Sequence, residues 1–204
     1  MRFRGFAIGC LVGGGVLLAT QVYSQEKSVS NTSSAPAMPS PQVMAERFAK
    51  YAVPGEQHKS FQWYVGKWNI EFLMKMPGGG QTKGSGEVEF KLIFDGRYLM
   101  QESQSTFGPG MGIMGYDRFK KKFFSFWIDS HRTDSWLAEG DGDDEGKKID
   151  FLYNAPEPMG EIPMRKMRGE QRRIDDDTWT YKFIETPEGI PEFEVLEIKY
   201  TRKK

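Results

Sequence analysis

Apolar and polar residues alternate with a period of two over almost everything that follows Trp68, whereas the stretch before it repeats at helical spacing. Trp68, Ile70, Phe72, Met74 and Met76 fall on one side of an extended segment, with Asn69, Glu71 and Lys75 on the other. Pro77-Gly78-Gly79-Gly80 turns the chain. Val88, Phe90, Leu92 and Phe94 form the next apolar row, which ends at the tight-hairpin dipeptide Asp95-Gly96. Eight more extended segments follow, at 97–106, 111–116, 122–129, 134–139, 147–153, 163–174, 178–185 and 192–201. Between them, Gly108-Pro109-Gly110, 117–121, 140–146, 154–160, Asp175-Asp176-Asp177 and Pro187-Glu188-Gly189 carry the residues that turns require. The pattern predicts about ten strands and no crossover helix. In the last segment Phe193 and Val195 share one face but Leu196, Ile198 and Tyr200 share the other, so a bulge near Val195 is expected.

Before Trp68, Ser40-Pro41 combines a helix N-cap with the residue favoured at the first helical position, and Val43, Met44, Phe48 and Tyr51 recur at helical spacing to about Ala52. Pro54-Gly55 breaks that helix. A second short one is expected to carry His58, Phe61, Gln62 and Val65 on one face until Gly66 ends it. Short hairpins with one apolar row each fit a barrel or a sandwich, and closure into a barrel removes the exposed sheet edges. The expected fold is therefore mainly β. It is a single antiparallel meander closed into a barrel of about ten strands at 67–204, with short helices at 41–66 covering one end.

The N-terminus belongs to neither part. Arg2 and Arg4 precede an apolar run from Gly5 to Ala19, and Val22-Tyr23-Ser24 suits a cleavage site, so residues 1–24 read as a secretory signal. An apolar run of about fifteen residues is short of the ~20 that span a bilayer. Residues 25–40, rich in Ser, Asn, Thr, Ala and Pro, read as a disordered linker. The chain is expected to be exported, to the periplasm or the extracellular space, with no stable membrane insertion once the signal is removed. Cys10 is the only cysteine, so the mature chain has none for disulfides, thiolate chemistry or zinc. With 28 basic and 28 acidic residues there is no basic footprint of the kind nucleic-acid binders show.

The helical entry, Gly66-Lys67-Trp68 and the meander resemble the lipocalin superfamily. The segments 115–129 (GYDRFKKKFFSFWID), 167–179 (MRGEQRRIDDDTW) and 196–203 (LEIKYTRK) are similar to a bacterial family of unknown function, domain family 1579, over about residues 44–204. The resemblance implies a lipocalin-like barrel and no established activity. It also implies a barrel-end pair, Trp68 beneath Arg202 of the last strand, with Arg172 as the substitute partner.

No catalytic or metal set stands out, and no cofactor is implied. Asp129, Ser130 and His131 sit side by side, but consecutive strand residues face opposite ways, so they read as a hairpin-end trio rather than a triad. His58 and His131 are the only histidines, too few for a zinc site on their own. In the acidic run 141–146, the EF-hand spacing fails at its twelfth position, Leu152, which leaves a solvated loop. Gly78-Gly79-Gly80 lacks the lysine and the helix of a phosphate loop. Lys120-Lys121-Lys122 reads as a solvated hairpin face.

More informative are polar groups on rows that must face inward. In 164–174 one row holds Lys166, Arg168, Glu170 and Arg172 and the other Arg165, Met167, Gly169, Gln171 and Arg173, so charge is expected inside whichever way the strand faces. A bridge from Arg168 to Glu102 would neutralise it. Left unbridged, Arg168 would greet an anionic head group inside an apolar cup. The expected function is binding of a small apolar or acidic molecule in the barrel interior by Gln101, Met114, Tyr116, Phe126, Trp127, Arg168 and Tyr200. One alternative is a hydrolase or isomerase at the mouth using Glu102, Asp129 or His131. Another is a partner-binding scaffold with a filled core; the oligomeric state is not legible.

Overall fold

The computed structural model of the chain describes residues 38–76, 79–156, 164–186, 189 and 191–204. The expected signal, Cys10, the linker to residue 37 and parts of three connectors (77–78, 157–163, and 187–188 with 190) lie outside the described residues.

Helix α1, Pro41–Ala52, starts where Ser40 Oγ accepts the Val43 N–H at 3.3 Å. Pro54-Gly55 stops it, and a single turn, α2 (Glu56–Lys59), runs directly into a 3-10 turn, Ser60–Tyr64. The 3-10 geometry corrects the expected apolar face of this segment. A repeat of three places His58, Phe61 and Tyr64 on one side, all buried, while Gln62 is exposed. Gly66, at φ +116°, supplies the backbone conformation that takes the chain from that turn into β1.

Ten antiparallel strands follow in meander order. They are β1 (Gly66–Lys75), β2 (Gln81–Ile93), β3 (Tyr98–Ser105), β4 (Gly108–Asp117) and β5 (Lys122–Asp129). The second half comprises β6 (Trp136–Gly142), β7 (Lys148–Pro156), β8 (Met164–Arg173), β9 (Thr178–Glu185) and β10 (Phe193–Arg202). β1 pairs with β10, from Trp68 opposite Arg202 to Met74 opposite Leu196, so the ring closes. In β10 the register with β9 slips between Glu194 and Leu196, the bulge that the phase change at Val195 demands.

Two connectors differ from expectation. Gly108-Pro109-Gly110 is not a turn but the start of β4, because the reversal is completed at 106–107 and Gly110 leaves room for the Trp127 ring. β6 likewise runs on through Gly140 and Gly142, whose missing side chains let β7 approach. The loop after it is closed by Asp143, whose carboxylate accepts the Lys147 and Lys148 N–H groups at 2.7 and 3.0 Å. The acidic run is thus strand end plus hairpin loop.

The helical segment closes one end, hereafter the plugged end. Phe61, Tyr64, Trp68, Phe90, Trp179 and Tyr200 form a continuous aromatic cluster beneath it. α1 itself buries nothing fully. Phe48 on its surface is 71% exposed, and the helix is tethered by its C-terminal carbonyls rather than by core contacts.

Candidate functional site

Strand parity settles which side chains enter the ring. In β8 the row Met167, Gly169 and Gln171 is buried, so it faces inward, and Lys166, Arg168, Glu170 and Arg172 face solvent. Arg168 is ion-paired with Glu170 and, at 2.7 Å, with Glu192; no bridge reaches Glu102, which instead pairs with Lys91 at 2.9 Å on the outer wall. The charge expected inside is therefore outside, because the inward row keeps its charged members, Arg165 and Arg173, for the two ends of the strand. Arg165 pairs with Glu185 at the end away from the helical segment, hereafter the mouth.

Beneath the plug lies a cavity of about 40 Å³ lined by Leu99, Gln101, Met114, Ser125, Gln171 and Tyr181 together with Tyr64, Phe90, Trp179 and Tyr200. No ionised side chain is among them. The Tyr64 hydroxyl donates to the Gly146 carbonyl at 2.7 Å and accepts from Gln171 Nε2 at 2.7 Å and Arg173 Nε at 3.3 Å. Tyr153 and Tyr181 share a hydroxyl–hydroxyl bond of 2.6 Å. Burial raises the phenol pKa of Tyr64, Tyr153, Tyr181 and Tyr200, so all four are neutral donors and acceptors at physiological pH. Trp179 is stacked on Tyr200 at 3.5 Å, and its buried Nε1–H has no acceptor among the described residues. A buried donor without a partner costs on the order of 1–3 kcal/mol.

Toward the mouth the inward rows become aromatic and half-exposed. Trp136 meets Phe183 edge-on at 5.5 Å and Tyr153 at 6.1 Å, Phe72 meets Phe107 at 5.6 Å, and Trp127 lies over Gly110. Asp129 Oδ2 accepts Trp127 Nε1–H at 3.2 Å and Oδ1 accepts the His131 N–H at 2.9 Å, the turn arrangement expected of that trio.

Of the residues expected to bind ligand, Gln101, Met114 and Tyr200 line the cavity and Trp127 faces inward at the mouth. Tyr116 faces inward at the other end, against Phe123 at 5.0 Å and His58 at 5.9 Å, and is part of the plug. Phe126 and Arg168 lie on the outer face. Trp68 and Arg202 adjoin, with the guanidinium 4.1 Å from the indole centroid. Arg202 also donates to the Val65 and Trp63 carbonyls at 3.1 and 2.7 Å, whereas Arg172 pairs with Asp150 outside. Sequence reasoning missed Tyr64, Ser125, Gln171, Trp179 and Tyr181. Gly169 was the available signal, since a glycine between Met167 and Gln171 marks a row that leaves space for a partner ring.

The family model described as "Protein of unknown function (DUF1579)" matches residues 53–202. No curated protein matches the sequence. Among solved structures, Rv2717c from M. tuberculosis is 14% identical with a TM-score of 0.51, covering 74% of this chain and 100% of that one. The S-type phycobiliprotein lyase CPES from Guillardia theta is 11% identical with a TM-score of 0.45, covering 77% of this chain and 98% of that one. At these identities the likeness to Rv2717c is one of fold.

Proposed function

Since this chain belongs to the DUF1579 family of proteins of unknown function, its role has to be read from its own interior, and we propose that it is a binding barrel for a small, mainly apolar molecule with a neutral polar end. The observation that carries this reading is a cavity of about 40 Å³, polar but without an ionised lining side chain, beneath a half-exposed aromatic mouth. Such a combination of apolar wall and few polar anchors is characteristic of small-molecule sites. The cavity is the size of a water or a ligand's terminal carbonyl or hydroxyl, so the body of the ligand lies against Trp127, Trp136, Phe183 and Phe72. Trp179 Nε1–H and the Gln101 amide supply the hydrogen bonds. A carboxylate end is disfavoured, because burying it without a cation costs several kcal/mol.

Native mass spectrometry of the protein from its host, followed by thermal shifts with matched long-chain alcohols, esters and acids, tests this. A retained adduct is expected, and alcohols or esters should raise Tm more than the acids; Gln101→Leu should abolish that preference. The absence of any adduct and of any shift across the panel sinks the reading. It would favour instead the scaffold with a filled core, for which the densely packed aromatic interior speaks. Export to the periplasm or beyond is part of the proposal. It rests on the Arg2, Arg4 and Gly5–Ala19 pattern and is checked by whether the protein recovered from its host begins at Gln25.

A further inference from the structure

We infer that one side of the plugged end, formed by α1 and the β2–β3 and β4–β5 hairpins, is a docking face for an anionic phospholipid bilayer. Three elements meet there. The carbonyl of Ala52 at the end of α1 accepts from Arg97 on the β2–β3 hairpin at 2.9 Å. The carbonyls of Lys50 and Val53 accept from Arg118 on the β4–β5 hairpin at 2.6 and 2.7 Å. Tyr51 stacks on Phe119 with centroids 3.7 Å apart. The helix end is thereby clamped between two hairpin tips, and each tip holds out a phenylalanine. Phe94 is 70% exposed and Phe119 68%, and Phe48 and Val53 of the helical segment lie equally open. Bulky apolar residues at hairpin tips bury nothing in the barrel, and a patch of them marks an interaction surface.

Charge selects the occupant. In α1 and the two tips, Arg47, Lys50, Arg97, Arg118, Lys120 and Lys121 stand against only Glu46, Asp95 and Asp117; Lys120 is paired with Glu139, and the acidic β6–β7 and β8–β9 connectors of this end belong to its other side. Two of the three acids are engaged locally. Asp117 accepts the Phe119 and Lys120 N–H groups at 2.7 and 3.0 Å, and Asp95 faces Arg97. Aromatic tips within a basic rim match a surface that is apolar a few ångströms down and negative at its head groups. This face is opposite the ligand mouth, so the inference stands independently of the binding role.

Flotation of the protein as its host produces it, with phosphatidylcholine vesicles and with vesicles holding about 30% phosphatidylglycerol, reads the interaction. Co-flotation with the anionic vesicles only, falling steeply as salt is raised, is the expected result. The double variants Phe94→Ser/Phe119→Ser and Lys120→Glu/Lys121→Glu should each reduce the bound fraction at least tenfold, whereas Leu137→Ser on the side wall should not. Each variant's Tm is measured alongside, and these exposed sites should leave it within about 2 °C. Failure to float with anionic vesicles overturns the inference. Binding of both vesicle types that the variants leave unchanged assigns attachment to the apolar run 5–19 and overturns it equally. Loss of binding on Leu137→Ser as well would show nonspecific stickiness, with the same consequence.

Discussion

Gly169 and Tyr181 show how finely the interior is filled. A methyl on Gly169 would collide with the Tyr181 hydroxyl and crowd the Tyr153 ring, and both belong to buried side chains that cannot retreat. Gly169→Ala should therefore destabilise by about 1–3 kcal/mol, the usual cost of overpacking, and lower Tm by roughly 2–4 °C per kcal/mol. Calorimetry checks it; an unchanged Tm would mean that the interior is looser than described. The same row explains why the candidate site was only half legible. Gln101 and Met114 stand on rows whose direction Leu99 and Tyr116 make plain. In β8 both rows carry charge, because one row pairs across the wall while the other saves its arginines for the strand ends, and parity then gives no direction.

At the scale of elements, the plug is held by polar chemistry as much as by burial. Arg173 lies 4.3 Å from the Trp63 centroid and donates to the Ser60 carbonyl at 3.0 Å, while Arg202 covers Trp68. His58 Nδ1 accepts the Gly55 N–H at 3.1 Å, a task only the unprotonated nitrogen performs. Burial, then Arg118 and Arg97, hold its pKa below the ordinary 6.5 against a raising hydrogen bond with the Tyr116 backbone. The unfolded chain thus takes up the proton more readily. The stabilisation is present in full above about pH 6.5 and is lost as pH falls through the folded value. Between pH 7.5 and 5 the wild type should lose more stability than His58→Gln, whose amide oxygen caps without titrating. Equal losses in denaturant titrations at the two pH values would remove His58 from that role. Ser40-Pro41, the tight turn at Asp95-Gly96 and the bulge at Val195 were all readable, since each is a local departure from the period. The 3-10 winding of Ser60–Tyr64 was not, because periods of 3.0 and 3.6 differ by less than one residue over so short a stretch.

For the molecule as a whole, four buried phenols tie stability to alkaline pH. Their folded pKa values lie above the ordinary value of 10, so the unfolded chain releases its protons first. The contribution is complete below pH 10 and is lost as pH rises toward the folded values. Absorbance at alkaline pH should therefore show these tyrosines ionising together with loss of near-ultraviolet circular dichroism, and separate, earlier ionisation would show water reaching the interior. The ring itself was legible as a whole, because ten alternating segments without a crossover leave few other ways to hide their edges. Its seam has a further consequence. Trp68 is paired across to Arg202, some 130 residues later, so β1 waits with a bare margin until β10 has been delivered. A chain synthesised, or threaded through a translocation pore, from its N-terminus spends that interval as an open ribbon able to zip onto a neighbour. Loss of β10 would make that hazard permanent.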